Sequence, residues 1–185
     1  MSFLPIQVIL WTAGIAMLAA GAGTDLKNRI IPNELVLAVA LCGIGLRLAS
    51  EPRLIWLSLL AAVIVFCAFG ILSHYHMIGG GDLKLITAVT LFVPPNRAGE
   101  LLTGIVLSGG VLSCIYLALR YAFKRGWLSP FGATRPPGRL AQTIKTERTR
   151  ILTDNTMPYA VAVLAGVCAY GARELLTCFY ATSCL

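Results

Sequence analysis

Charged residues are scarce in this chain: Asp, Glu, Lys and Arg together make up only 12% of its 185 residues. Hydrophobic residues make up 57% of the chain, where an ordinary soluble domain has about 45–50%. A water-soluble fold of this size could not bury so much apolar surface, because small domains keep a large surface for their volume. The composition therefore excludes an ordinary soluble domain and indicates that lipid is the solvent.

Closely spaced cysteine motifs are also lacking, since no two of the six cysteines have the two-residue gap that is typical of zinc or redox motifs. Cys178 and Cys184 lie close enough in sequence to pair outside the cytoplasm, and free thiols are at least as good an interpretation. No Lys or Arg precedes the first apolar run, although a secretory signal peptide normally has one there. We therefore interpret this run as a membrane span.

Six apolar stretches predict an all-α, polytopic membrane protein of about six transmembrane helices. A helix needs about 20 residues to cross the hydrocarbon core, so the second and fourth stretches are short. We expect a single membrane-embedded domain over residues 1–185. The stretches are roughly 4–23, 35–49, 55–72, 83–94, 101–123 and 157–178.

The distribution of basic residues predicts the orientation of these spans. With the N-terminus outside, eleven of the fifteen Lys and Arg residues lie on the cytoplasmic side. Many of them fall in a basic loop at about 124–156, of which 140–152 is either an amphipathic helix on anionic lipid or a solvated loop. Topology thus explains the net charge of +7, and a nucleic-acid partner is not expected.

Two aspartates need a physical explanation, because a charge at the end of a lipid-facing segment costs a few kcal/mol. Asp25 ends the first span and Asp82 begins the fourth, so both fall at the cytoplasmic side. Two neighbouring carboxyl groups share a proton, and one can then activate a water while the other protonates a carbonyl oxygen or a leaving amine. In the alternative, Asp25 is an interfacial anchor beside Lys27 and Arg29, and Asp82 caps a helix and pairs with Lys84.

Local signals surround both aspartates. The glycines at 79–81 can adopt positive φ and leave room for an extended peptide beside Asp82. A helix that begins at Asp82 would place its carboxyl group near free backbone N–H groups, which favour the ionised form. Asn33 is predicted to be the N-cap of the second helix.

Three segments resemble motifs of one known family. Gly79-Gly80-Gly81-Asp82-Leu83-Lys84 fits the G-x-G-D-x-K motif of the type IV prepilin peptidases, a group of intramembrane aspartic proteases. Asp25 followed by Ile31-Pro32-Asn33 is similar to the first catalytic motif of that family. Met157-Pro158-Tyr159-Ala160 is similar to the segment that opens its last span. The three matches occur in the order of the family and cover nearly the whole chain.

The resemblance implies an intramembrane aspartic endopeptidase of the bacterial cytoplasmic (inner) membrane, with Asp25 and Asp82 as the catalytic pair. It would cut the short, positively charged leader from prepilin-like substrates, which present a Gly before the cut and an apolar helix after it. The implied partners are these substrates, membrane lipid and the pilus assembly machinery, and no metal or organic cofactor is implied. The matching supporting residues, each of which also has a structural interpretation, are Lys27, Lys84, Gly79, Gly81, Pro158 and Tyr159.

The chain departs from the longer members of the family, which carry an N-terminal domain with cysteine pairs and also methylate the new N-terminus. It is similar instead to the short peptidases that serve Flp-type, tight-adherence pili. Two alternatives remain open. One is a non-enzymatic proton-coupled transporter or pilus-assembly subunit with buried carboxylates, and the other is a G-x-G-D protease with different membrane substrates. The pair His74 and His76 is interpreted as an interfacial anchor rather than a metal site.

Overall fold

A computed structural model describes residues 5–28, 31–75, 78–125 and 157–183 of the protein. The described residues contain six α-helices and no β-strand, which confirms the predicted all-α class. Short 3₁₀ turns at Pro52–Leu54 and Pro95–Arg97 lead into the third and fifth helices. The helices are α1 (Pro5–Asn28), α2 (Asn33–Ser50), α3 (Ile55–His74), α4 (Gly80–Thr90), α5 (Ala98–Lys124) and α6 (Tyr159–Ser183).

Four of the described segments are long and apolar enough to cross a membrane, which agrees with a polytopic membrane protein. The second stretch, which looked short in sequence, forms an 18-residue helix and is among them. Helix α4 has 11 residues and is only about 16 Å long, roughly half the thickness of a hydrocarbon core. The count of six spans therefore stays a prediction. The four segments are Ile6–Asn28, Asn33–Ser50, Pro52–His74 and Pro95–Ala122.

The chain forms two compact units. The first contains Met1–Gly109 and Pro158–Leu185, and the second contains Gly110–Met157, so that α5 contributes residues to both. The predicted basic loop, its helix at 140–152, the pairing of Cys178 with Cys184, and His76 lie outside the described residues. The expectation of a single membrane-embedded domain stays a prediction.

Helix α4 lies in the core of the first unit, where it packs against α2, α3 and α6. Leu83, Leu85 and Ala88 of this helix are buried, although they point in different directions around its axis, while Lys84 is exposed on the remaining side. A helix with a wide apolar face is expected to bury that face against other helices. Helix α1 in turn packs against α2 and α6.

Phe92, in the turn that follows α4, anchors the far end of this short helix. Its side chain is only 2% exposed and packs against Trp11, with ring centroids 5.4 Å apart. Gly14 of α1 provides the space, since a Cβ there would lie 2.2 Å from the Cε1 atom of Phe92. A Cβ at Gly43 of α2 would lie 3.2 Å from the Cδ2 atom of the same ring. The two glycines thus allow α1 and α2 to enclose the ring, which fixes the position of α4 along the bundle.

Small residues bring α5 and α6 together, since Gly and Ser at a helix interface allow the two backbones to approach closely. Gly166 of α6 approaches the α5 backbone so closely that a Cβ on it would lie 2.8 Å from the Cα and N atoms of Ile105. A Cβ on Gly104 would lie 3.6 Å from the carbonyl oxygen of Gly166. Ser108 donates a hydrogen bond of 2.7 Å to the carbonyl oxygen of Ala162. The start of α6 is therefore held rigidly against α5.

We expect Gly166→Ala to lower the thermal stability of the protein, because overpacking a closely packed site costs about 1–3 kcal/mol. Thermal unfolding of the purified protein in detergent measures the effect as a lower Tm. The matched control is Gly70→Ala in α3, where an added Cβ meets no atom within 4 Å. The control should leave Tm unchanged or raise it slightly, since Ala favours a helix over Gly. A Gly166→Ala variant with wild-type Tm would contradict the close approach of α5 and α6.

Candidate active site

Asp25 lies in the last turn of α1 and is buried, with only 5% of its surface exposed. Its Oδ2 atom accepts a hydrogen bond of 3.1 Å from the backbone N–H of Ala160. Ala160 is the second residue of α6, and the first N–H groups of a helix have no partner within the helix itself. The carboxyl group of Asp25 therefore supplies the missing acceptor at the positive end of the helix dipole of α6.

Asp82 lies in the first turn of α4, outside the four segments that are long enough to span a membrane. Partial burial, and after it the negative charge of Asp25, raise the pKa of Asp82 to about 6. The prediction that the helix start favours the ionised form of Asp82 is wrong, because the pKa of this carboxyl group is raised rather than lowered. The helix begins two residues earlier, at Gly80, and burial next to another carboxyl group outweighs the favourable helix dipole.

The first two predicted motifs are in direct contact. Lys84 of the glycine motif donates a hydrogen bond of 3.2 Å from its Nζ atom to the Oδ1 atom of Asn33. A Cβ on Gly81 would lie 3.7 Å from the Ile31 side chain. The prediction of Asn33 as an N-cap is wrong: the N-cap position is Pro32, and the Asn33 side chain binds Lys84 instead of the start of its own helix.

The glycines before Asp82 contribute space rather than an unusual backbone conformation. Gly79 has φ −67° and ψ 143°, which is extended backbone, so the positive φ considered from the sequence is not adopted there. A Cβ on Gly79 would lie only 3.0 Å from the Oδ2 atom of Asp82, and one on Gly80 would meet no atom within 4 Å. The chain at 79–81 is exposed, and the absence of side chains on these glycines leaves space beside the Asp82 carboxyl group among the described residues.

The third predicted motif lies at the same end of the first unit. Pro158 is buried directly before α6, in agreement with the prediction that it opens the last helix. Tyr159 is half-buried, and its phenol interacts electrostatically with Asp82. The motif therefore interacts with both carboxyl groups: the N–H of Ala160 donates a hydrogen bond to Asp25, and the phenol of Tyr159 interacts electrostatically with Asp82.

The structure brings together most of the predicted site residues at the end of the unit where α1 ends and α2, α4 and α6 begin. Asp25, Asp82, Gly79, Pro158 and Tyr159 all lie there, and the contacts of Gly81 and Lys84 tie the glycine motif to residues 31–33. Lys27 is exposed in the last turn of α1, where its positive charge suits the negative end of the helix dipole. Among the described residues, no three His, Cys, Asp or Glu side chains are grouped as a metal site would require.

Sequence reasoning missed two contributions to the site. The role of Ala160 depends on its backbone N–H, which every residue except Pro carries, so no residue type could reveal it. Gly109 of α5 lies against the ring of Tyr159, where its Cβ would be 3.3 Å from the Cε2 atom. Small residues such as Gly104, Ser108 and Gly109 in the fifth apolar stretch are typical of close helix packing, but they do not indicate the partner.

Two carboxyl groups in this arrangement can hold one proton between them. The group with the raised pKa keeps its proton to a higher pH, while its neighbour carries the negative charge. Such a pair can accept a proton from a water molecule and donate one to a carbonyl oxygen.

Comparison with known protein families agrees with this geometry. The model of the type IV leader peptidase family matches residues 12–120, a segment that contains both aspartates and the glycine motif. No curated protein and no solved structure matches the chain. The family match covers more than half of the chain, and this chain therefore belongs to the type IV leader peptidase family, a family of proteases.

Proposed function

We propose that this protein is an intramembrane aspartic endopeptidase that removes the leader from prepilin-like proteins, with Asp25 and Asp82 as its catalytic pair. The observation that carries the proposal is that these two motif residues, from distant parts of the sequence, lie close enough for the charge of one to raise the pKa of the other. Membership of the leader peptidase family supports the class of substrate.

Their surroundings suggest different roles for the two carboxyl groups. Asp25 accepts a backbone N–H at the positive end of α6, which stabilises a carboxylate, so it is suited to be the general base. Asp82 has a pKa of about 6 because of its burial and the charge of Asp25, so it is suited to be the general acid.

Hydrolysis by this pair follows the proton-sharing scheme of two carboxyl groups. Asp25 takes a proton from water as the water oxygen bonds to the scissile carbonyl carbon. The carbonyl π electrons move to the carbonyl oxygen, which takes the proton of Asp82. The C–N bond of the resulting diol then breaks, the amine leaves with the proton from Asp25, and Asp82 recovers its proton from the collapsing hydroxyl.

The proposed site faces the cytoplasm, with the N-terminus of the chain outside, because this orientation places eleven of the fifteen Lys and Arg residues inside. A basic leader would then reach the carboxyl groups from the cytoplasm while the apolar helix that follows the cut stays in the bilayer. The exposed glycines at 79–81 leave room for the extended peptide. Lipid and the pilus assembly machinery are the other proposed partners.

We expect Asp25→Asn and Asp82→Asn each to lower leader cleavage by at least about 10²-fold, since general acid–base catalysis contributes roughly 10²–10⁴ in rate. Cleavage of a co-expressed prepilin, followed by its change in gel mobility, measures the effect in cells without other leader peptidases. Glu34→Gln is the matched control, because Glu34 is an exposed carboxylate near the same end of the unit, in the first turn of α2. Wild-type cleavage by either Asp variant would refute the proposed pair. Proton or solute flux that depends on the aspartates, without cleavage, would favour a transporter instead.

The raised pKa of Asp82 predicts the pH dependence of the reaction. Its proton is present below about pH 6 and is lost as the pH rises through that value, so an acid that must donate this proton fails above it. We expect kcat/KM to fall on the alkaline side with a midpoint near pH 6. Rates of peptide cleavage by the purified enzyme between pH 4 and pH 9 test this expectation. A rate that keeps rising to pH 9 would contradict the role of Asp82 as the acid.

A further inference from the structure

The position of Tyr159 is closely tied to the two carboxyl groups. It is the first residue of α6, and the N–H of the next residue, Ala160, holds Asp25 through a buried hydrogen bond of 3.1 Å. Pro158, directly before it, is buried and has a restricted φ. The backbone of Tyr159 is therefore fixed relative to Asp25.

The side chain of Tyr159 packs against a glycine of α5. A Cβ on Gly109 would lie 3.3 Å from the Cε2 atom of the ring and 3.6 Å from its hydroxyl oxygen. The hydrogen bond from Ser108 to the carbonyl oxygen of Ala162 holds α5 and α6 together next to this contact. The ring thus has a defined position that depends on the absence of a side chain at residue 109.

The hydroxyl group of Tyr159 can form hydrogen bonds that the described residues do not supply. Within the described part of the chain, this hydroxyl makes no hydrogen bond, although the residue is half-buried and the O–H of a tyrosine usually finds a partner where it is buried. The phenol nevertheless interacts electrostatically with Asp82, so it lies close to the pair. A phenol keeps its proton at neutral pH and is therefore a donor available to a ligand.

Peptide hydrolysis by two carboxyl groups needs such a donor. Negative charge develops on the carbonyl oxygen as water attacks, and a fixed donor that meets this oxygen stabilises the transition state. On the basis of the proposed function, we propose that the Tyr159 hydroxyl donates a hydrogen bond to the carbonyl oxygen of the scissile peptide. Tyr159 is then a third catalytic residue, which keeps its own proton throughout, while Asp82 supplies the proton that the oxygen finally takes.

The direct test is the Tyr159→Phe variant, which keeps the ring against Gly109 and removes only the hydroxyl. The probe is a synthetic peptide with a basic leader that ends in Gly, followed by an apolar helix of about 20 residues. We expect kcat to fall by about 10²-fold with little change in KM, as when one oxyanion donor is removed from other hydrolases. Thermal unfolding should give the same Tm as the wild type, because the ring packing is retained.

The matched control is Tyr170→Phe, which also removes a tyrosine hydroxyl from α6. Tyr170 lies about 16 Å from Tyr159 along the helix. This variant should keep the wild-type kcat. A wild-type kcat in Tyr159→Phe would overturn the proposal, and so would a loss that comes with a lowered Tm and a raised KM. These results would leave the proposed function intact, since the wild type would still cleave the peptide and Asp82→Asn would not.

Gly109→Ala provides a second measurement that depends on the position of the hydroxyl group. The added Cβ must displace the Tyr159 ring by a few tenths of an ångström, and we expect a severalfold loss of kcat. In a Tyr159→Phe background the same change should have no further effect, because no hydroxyl remains to be displaced. If the loss is equally large in both backgrounds, the hydroxyl is not the group that matters, and the proposal fails.

Discussion

The hydrogen bond from the N–H of Ala160 to Asp25 joins the last turn of α1 to the first turn of α6. A buried carboxyl group without a partner would be costly, and the free N–H groups of a buried helix start would be costly as well. The carboxyl group of Asp25 accepts the hydrogen bond that the N–H of Ala160 needs to donate, so the end of α1 and the start of α6 stabilise one another when they are in contact. The rest of the candidate site is arranged around this contact, since Tyr159 is the neighbour of Ala160 and the charge of Asp25 acts on Asp82.

The second constraint is the depth of α4 in the bundle. This helix is too short to be positioned by the two faces of a bilayer, and its Asp82 must nevertheless lie level with Asp25. Phe92 provides the fixed point at the other end, enclosed between Gly14 and Gly43. At the near end, Lys84 binds Asn33 and Gly81 lies against Ile31. A short helix held at both ends can present its first turn at a defined height without crossing the whole bilayer.

Much of this arrangement could be predicted from the sequence, and the reasons for the remainder are physical. Hydropathy indicated the all-α class, because lipid imposes a strong compositional signal, and residue type indicated the two aspartates, because carboxyl groups are rare in lipid. The other residues of the three motifs were indicated by their resemblance to one known family. The N-cap role of Asn33 was wrong because a contact with Lys84, distant in sequence, competed with the local one. The prediction that the helix start favours the ionised form of Asp82 was wrong because the helix dipole was visible in the sequence, whereas the burial of the carboxyl group was not. A single sequence does not show which segments far apart in the chain are in contact, and such contacts decided both of these cases.

The Oδ2 atom of Asp25 accepts its hydrogen bond from a main-chain N–H group, and this has an evolutionary consequence. Any residue except proline at position 160 retains the amide, so mutational drift there is limited by volume, since Ala160 is completely buried. Related chains can therefore exchange one small residue for another at this position and keep the electrostatic support of the aspartate. The functional role of the position would then leave no signature of residue identity in a comparison of sequences.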